Sequence, residues 1–357
     1  MDPELTIASS VWSQAAASHW NSLAKTPMQR LCWIRACLET VNSGDDVRLI
    51  TFGNSIAPLV IQRGDPNRLT FIGDTMREPS DVLCDDENLD GLAENVVRTK
   101  LPIKLARVPL DAPILGALQR AYQGRGVIGI KPRRFGCPYI ELDDTWREPE
   151  LHLSTSWRAQ LRRSRKRAES VGQITFEVVS PKHAQFDSLF EEALAIEATG
   201  WKGVQGTAIA VSTWRSAFYK RFAKYAAGEG ILRLCFLRIG GQAAAMELAA
   251  ECNERLFLLR IGYDETFKNC SPGNLLRVES IRYATERGLR SYEFLGSDDT
   301  WTYTWTKTVR PMVSLEAYPA SARGLWVLAQ DKLGVPKSMR KKLDKWTRKV
   351  GRQRRGI

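Results

Sequence analysis

The 357-residue chain is 43% hydrophobic and 26% charged, the balance of a soluble protein with ample core and room for two ordinary domains. It holds no run of 18 apolar residues, so it offers no membrane-spanning helix, and its acidic start, Met1-Asp2-Pro3-Glu4, reads as no signal peptide. The net charge of +12 is uneven: from Arg323 onward there are 12 Lys/Arg against 2 Asp/Glu, which leaves about +2 on the rest and removes the case for a wholly nucleic-acid-binding chain. Seven cysteines without a Cys-x-x-Cys pair fit reduced thiols in a cytoplasm, and His19, His152 and His183 are too scattered to support a metal site.

Trp12, Ala16, Trp20 and Leu23 fall at helical spacing within residues 11–40, and Pro27 interrupts them. Leu31, Ile34 and Leu38 predict a second helix over 28–41. Short strands are expected at 47–52, 56–62 and 69–72, a helix at 90–99, a strand at 103–108, a helix at 112–123 and a strand at 139–142. This alternation predicts an α/β or α+β unit with a modest sheet, ending at a charged linker over 143–153. Residues 154–171 form an amphipathic helix on a stripe of Trp157, Leu161, Ala168 and Val171. Arg158, Arg162, Arg163, Arg165, Lys166 and Arg167 cover its other face, equally a solvated surface or a rim for a polyanion. A strand at 174–179, a helix at 183–197, a glycine-rich loop around Trp201-Lys202 and a helix at 211–227 follow.

Three strands are then expected, at 231–239, 243–249 and 256–263. Ser271-Pro272-Gly273 opens a helix from about 274 to 287, and a last strand covers 291–295. A helix opening from such a loop after a strand is a ready anion site, because its first N–H groups lack partners and its dipole favours negative charge. Ser-Pro-Gly also suits any tight turn. The chain has no Gly-x-x-x-x-Gly-Lys-Ser/Thr, no Gly-x-Gly-x-x-Gly and no Gly-x-Ser-x-Gly, so the usual nucleotide, dinucleotide and hydrolase signatures are missing.

Glu197-x-x-Gly-Trp-Lys-Gly-x-x-Gly-Thr-Ala-Ile, Gly262-Tyr263-Asp264, Ser271-Pro272-Gly273-x-Leu-Leu, Gly288 and Phe294-Leu295-Gly296-x-Asp-Asp together resemble the GNAT-type acetyltransferases of the CelD/BcsL kind. Those proteins are associated with cellulose and exopolysaccharide biosynthesis and are related to the FemAB peptidyltransferases. The resemblance is strongest over 154–310 and looser over 10–150. It implies tandem GNAT-like halves, each a mixed, mostly antiparallel sheet flanked by helices: a degenerate unit at 1–150, a unit with the acyl-CoA site at 151–320, and a basic tail at 321–357.

It also implies that acetyl-CoA or another acyl-CoA is the donor. The pantetheine arm would lie along 256–262, past Leu259 and Ile261, and the pyrophosphate would rest on the amides of Asn269, Ser271, Gly273, Asn274 and Leu275, with Arg277 adding a charged contact. Proton acceptors would come from Glu247, Glu197, Asp298 or Asp299. Each has a plain alternative: Glu247 pointing outward by strand alternation, Glu197 pairing locally, Asp298-Asp299 an ordinary turn. Trp201 and Lys202, with Trp301, Tyr303 and Trp305, would shape the pocket of a carbohydrate or amine acceptor. Relatives often carry Tyr-Lys-x-x-Trp after the last strand; here Trp305 fits, but Trp301 and Thr302 replace the Tyr and Lys, with Lys307 two residues beyond. This departure speaks against aminoacyl-tRNA chemistry of the FemAB kind, which stands as an alternative beside a non-catalytic scaffold.

In the tail, Met339, Leu343, Trp346 and Val350 make an apolar stripe among Lys and Arg. It reads either as a helix on an anionic membrane surface or as one packed on its own domain. The reading that results is a cytoplasmic, acyl-CoA-dependent N- or O-acyltransferase of envelope or exopolysaccharide synthesis, membrane-associated if the tail docks.

Overall fold

The computed structural model describes residues 14–62, 68–85, 87–182, 184–199, 213–296 and 301–333. In chain order, its elements begin with α1 (Gln14–Leu23), α2 (Leu31–Glu39), β1 (Asp46–Phe52), β2 (Ser55–Ile61), β3 (Leu69–Phe71), α3 (Leu89–Arg98), β4 (Ile103–Pro109), α4 (Ile114–Tyr122), β5 (Gly126–Pro132) and β6 (Cys137–Glu141). Next come α5 (Thr155–Val171), β7 (Ile174–Val179), α6 (Phe186–Thr199), α7 (Thr213–Gly228), β8 (Leu232–Ile239), β9 (Gln242–Cys252) and β10 (Arg255–Tyr263). The chain continues through α8 (Pro272–Glu286), β11 (Ser291–Glu293), β12 (Val309–Arg310), β13 (Met312–Pro319) and α9 (Ala322–Lys332).

Two mixed, mostly antiparallel sheets result, in strand orders β1-β2-β3-β4-β13-β5 and β12-β6-β11-β10-β9-β8-β7. Parallel pairing is confined to β3 with β4 and β10 with β11. The sheets exchange strands: β6 comes before residue 150 yet pairs with β11, while β13 follows the second set of strands yet lies between β4 and β5. Neither β5 nor β13 was expected from the sequence. β5 carries Gly126 and Gly129, which weaken a strand signal.

Three cores hold the layers. α3 and α4 cover one face of the first sheet around Leu92, Leu118 and Leu315. α5 and α8 cover one face of the second around Leu161, Leu276 and Tyr292. The third core lies between the units, where Trp33 of α2 packs edge-on against Phe218 and Phe222 of α7 at 4.8 and 5.1 Å. The second sheet is therefore covered on both faces, and nearly every residue of β9 is buried.

A bulge at Leu259 is the local feature that most affects the site. Leu258 pairs with Ala249 and Arg260 with Leu248, leaving Leu259 without an opposite residue. The extra residue reverses the alternation of side chains along β10. Leu259 packs into the core between the units, whereas Ile261 and Tyr263 pack with the α5/α8 face. The reversal also turns Gly262 toward α6, where a Cβ would meet the Glu197 Cα at 2.7 Å. Glycine here permits a backbone-to-backbone approach that no other residue allows.

Candidate active site

β10 and β11 pair in parallel from Arg255–Ser291 to Phe257–Glu293. Beyond Phe257 the strands part, and β11 continues toward β6, where the Phe294 N–H donates to the Pro138 carbonyl at 3.0 Å. A cavity of about 450 Å³ opens at this divergence. Glu247 and Ile261 lie on its floor, Glu197 on the α6 side, Ser271, Gly273 and Asn274 at the start of α8, and Trp301 and Trp305 on the far wall.

The start of α8 is built for close approach. Ser271 precedes the helix in the left-handed region at φ 48°, and Pro272 follows with no N–H to offer. The Ser271 carbonyl accepts from the N–H groups of Asn274 (3.0 Å) and Leu275 (3.3 Å). That leaves the Gly273 N–H with no partner among the described residues. A Cβ on Gly273 would touch little, its nearest neighbour being Tyr263 Cδ1 at 4.0 Å, so the space above this amide is open. An unsatisfied N–H at a helix start, beside Lys268 on the same wall, is a place for an anionic oxygen.

Glu247 is buried, not outward-facing. On a strand covered on both faces, alternation chooses between two interiors, and Glu247 faces the side shared with Cys235 and Ile261. Its Oε2 accepts from the Tyr292 hydroxyl at 3.0 Å, and Oε1 lies 3.3 Å from Arg277 Nη2. That approach is not aligned as a hydrogen bond, so Oε1 remains a sealed acceptor without a donor. Arg277 Nη1 donates to the Tyr292 hydroxyl at 2.8 Å, which Ser280 Oγ also meets at 3.0 Å. Burial pushes the Tyr292 phenol well above its ordinary pKa, against the pull of Arg277, and keeps it a neutral donor. Burial, then the charge of Glu247, likewise raises the Cys235 thiol, so it is no thiolate nucleophile.

Arg277, expected at the pyrophosphate, lines the cavity with its guanidinium buried beside Glu247 and enclosed by the rings of Tyr292, Phe294 and Trp301 at 5.6, 5.4 and 5.5 Å.

Of the other expected site residues, Leu259 is drawn away by the bulge and Leu275 is core. Asn269 is exposed off the cavity wall, as is Tyr303. Trp201, Lys202, Asp298, Asp299 and the tail 336–357 lie outside the described residues. Tyr292 and Tyr263 were missed. Tyr292 sits between Ser291 and Glu293 in a three-residue strand, which gave no local sign of a site residue.

Residues 155–303 match the model of a family described as an acetyltransferase (GNAT) domain. No curated protein matches the chain. Among solved structures, FemX is similar with a TM-score of 0.57 at 14% identity, over 91% of this chain and 98% of that one. The C-terminal domain of a putative lysylphosphatidylglycerol synthetase from Agrobacterium fabrum gives 0.55 at 11% identity, over 88% and 95%. A conserved protein of unknown function from Bacteroides thetaiotaomicron gives 0.56 at 12% identity, over 86% and 97%. At such identities the likenesses speak for the fold alone. The parted strands and the open helix start lie within the segment 155–303 that is similar to a GNAT acetyltransferase domain.

Proposed function

We propose that the chain transfers an acyl group, acetyl first, from acyl-CoA to a nitrogen or oxygen of a sugar-containing acceptor in envelope or exopolysaccharide synthesis, as the CelD/BcsL resemblance suggests. The observation that carries the donor half is the cavity where β10 leaves β11, with the open Gly273 N–H at its mouth. A donor diphosphate at that amide would send its acyl arm past Tyr263 and Ile261 toward Glu247. The acceptor amine or hydroxyl adds to the thioester carbonyl and its proton passes to the carboxylate of Glu247, which lines the cavity. The C–S bond then breaks and the thiolate leaves with a proton. Tyr292 and Arg277 orient the carboxylate, and positioning supplies most of the acceleration. The exposed ring of Trp301 offers an apolar face to a sugar ring at the acceptor end.

Isothermal titration with acetyl-CoA and longer acyl-CoAs tests the donor; no binding by folded protein refutes it. A second reading, aminoacyl transfer from charged tRNA, draws on the exposed Arg162, Arg163, Lys166 and Arg167 of α5. Salt-dependent binding of charged tRNA in place of acyl-CoA would favour it. Peripheral attachment to an anionic membrane through 336–357 is part of the proposal, and liposome binding of full-length and truncated chains tests it. Among the described residues no helix is long and apolar enough to cross a membrane.

A further inference from the structure

β11 leaves the second sheet through two consecutive residues in the left-handed region, Leu295 (φ 56°) and Gly296 (φ 60°), and the chain then runs to Trp301 on the cavity wall. The first sheet grips this exit. The Arg107 Nη2 donates to the Gly296 carbonyl at 2.5 Å and to Cys137 Sγ at 2.8 Å. The carbonyl at this exit is thus held by a side chain from the other unit.

Arg107 is itself a special residue. β4 carries two residues, 106 and 107, opposite Ser314 of β13, and Arg107 adopts φ 54° in this bulge. Bulges re-aim side chains, and an L-residue held in the left-handed region marks a place where the surroundings over-determine the backbone. Arg107 is 7% exposed. A buried guanidinium aimed at a backbone carbonyl is more than two packed sheets require.

We propose that Arg107 is a positioning residue for the acceptor side of the pocket: the first unit clamps Gly296 and thereby fixes the Trp301 wall. This rests on the acyltransferase reading for its kinetic consequence, but the clamp has a direct readout of its own. The donor mouth at Gly273 makes none of these contacts, so the donor and acceptor ends of the cavity respond separately.

The experiment compares Arg107→Ala and Arg107→Lys in the full chain by amide hydrogen exchange, acetyl-CoA titration and steady-state kinetics. Exchange in the peptide spanning 291–305 rises about tenfold or more in Arg107→Ala, while peptides of β8 and β9 stay protected. The kcat falls about 10- to 100-fold while the acetyl-CoA Kd stays within about twofold, the mark of lost positioning rather than lost folding. Arg107→Lys recovers part of both losses, and it is the variant to read if the alanine form does not fold. Unchanged exchange at 291–305, or a kcat that falls only in step with the folded fraction, overturns the proposal. If no donor gives turnover in the unaltered protein, the acyltransferase reading fails by itself, and exchange at 291–305 still decides whether the clamp exists.

Discussion

Replacing Arg277 separates what the buried pair does for stability from what it does for chemistry. Its side chain is 4% exposed and that of Glu247 is 2% exposed. Arg277→Met leaves the carboxylate sealed in the sheet with Tyr292 as its sole donor, and stranding one member of a buried pair costs about 3–5 kcal/mol. Glu247→Leu strands the guanidinium in turn, although the enclosing rings offset part of the loss. The double variant Glu247→Leu/Arg277→Met removes both charges and fills the space with apolar atoms. Such replacements fall near the parent or above it, because the pair never regains its full desolvation cost. A double-mutant cycle by urea unfolding should therefore show coupling of several kcal/mol, with the double variant within about 1–2 kcal/mol of the parent. Tyr292 loses its carboxylate acceptor but keeps Ser280, so the residual cost is one hydrogen bond, about 1 kcal/mol. All three variants lose turnover, and Glu247→Gln, which keeps the shape, lowers kcat about 10²- to 10⁴-fold. Additive losses would refute the electrostatic account of the pair; a folded Glu247→Gln with parental kcat would refute the catalytic one.

Three further outcomes follow from the geometry. Gly273→Ala should bind acetyl-CoA nearly as the parent does, because its Cβ meets open space, whereas Gly273→Trp fills the mouth and weakens binding by about tenfold or more in titration calorimetry. Gly262→Ala drives a Cβ onto the Glu197 backbone and should cost about 1–3 kcal/mol, read as a lower unfolding midpoint; an unchanged midpoint would mean that α6 shifts freely. Asp81 gives a pH signature: burial raises its carboxyl to about 7, while the Val82 N–H opposes the shift. A raised acid penalises the folded state once ionised, so stability is unaffected at low pH and falls as pH rises from the unfolded value through 7, by on the order of 4 kcal/mol. Asp81→Asn should flatten that decline between pH 5 and 8; an equally steep fall in the variant would place its source elsewhere.

How much could be read beforehand differs between donor and acceptor. The order of strands from 231 to 263, the loop at Ser271 and the helix behind it were legible, because apolar runs, a Pro-Gly helix start and a closing Gly288 are local signals. Glu247 was legible as a candidate but not as a buried one, since its exposure depends on how many layers cover β9, a tertiary fact. The split between Leu259 and Ile261 hid in a bulge that no pattern in Leu-Leu-Arg-Ile marks, although an Arg inside an apolar strand hints that the alternation changes there. The pairing of Arg277 with Glu247 was not legible, because position along a helix does not say toward which neighbour a long side chain folds back. Arg107 carried no local sign at all: its importance lies in a partner about 190 residues away.

The exchanged strands make the two units one object, and cutting the chain tests this. A fragment beginning at residue 155 keeps β7 to β11 but loses β6, which pairs with β11 through Ser291–Glu141 to Glu293–Tyr139 and accepts the Phe294 N–H. It also exposes the apolar edge beside the cavity, where Tyr292 and Phe294 lie. The complementary fragment loses β13, the strand between β4 and β5, and so leaves a gap inside its sheet rather than a missing edge. Neither fragment should unfold cooperatively alone, while the full chain should show one transition by circular dichroism and by tryptophan fluorescence. Extending the second fragment back to Gly136 restores β6 and should recover acetyl-CoA binding before it recovers turnover, because the donor mouth at Gly273 needs the second sheet alone whereas Gly296 still lacks Arg107. A 155–333 fragment that folds cooperatively and turns over at the full rate would show that the first unit is a passenger. Coincident recovery of binding and turnover at 136–333 would show that the Trp301 wall holds itself.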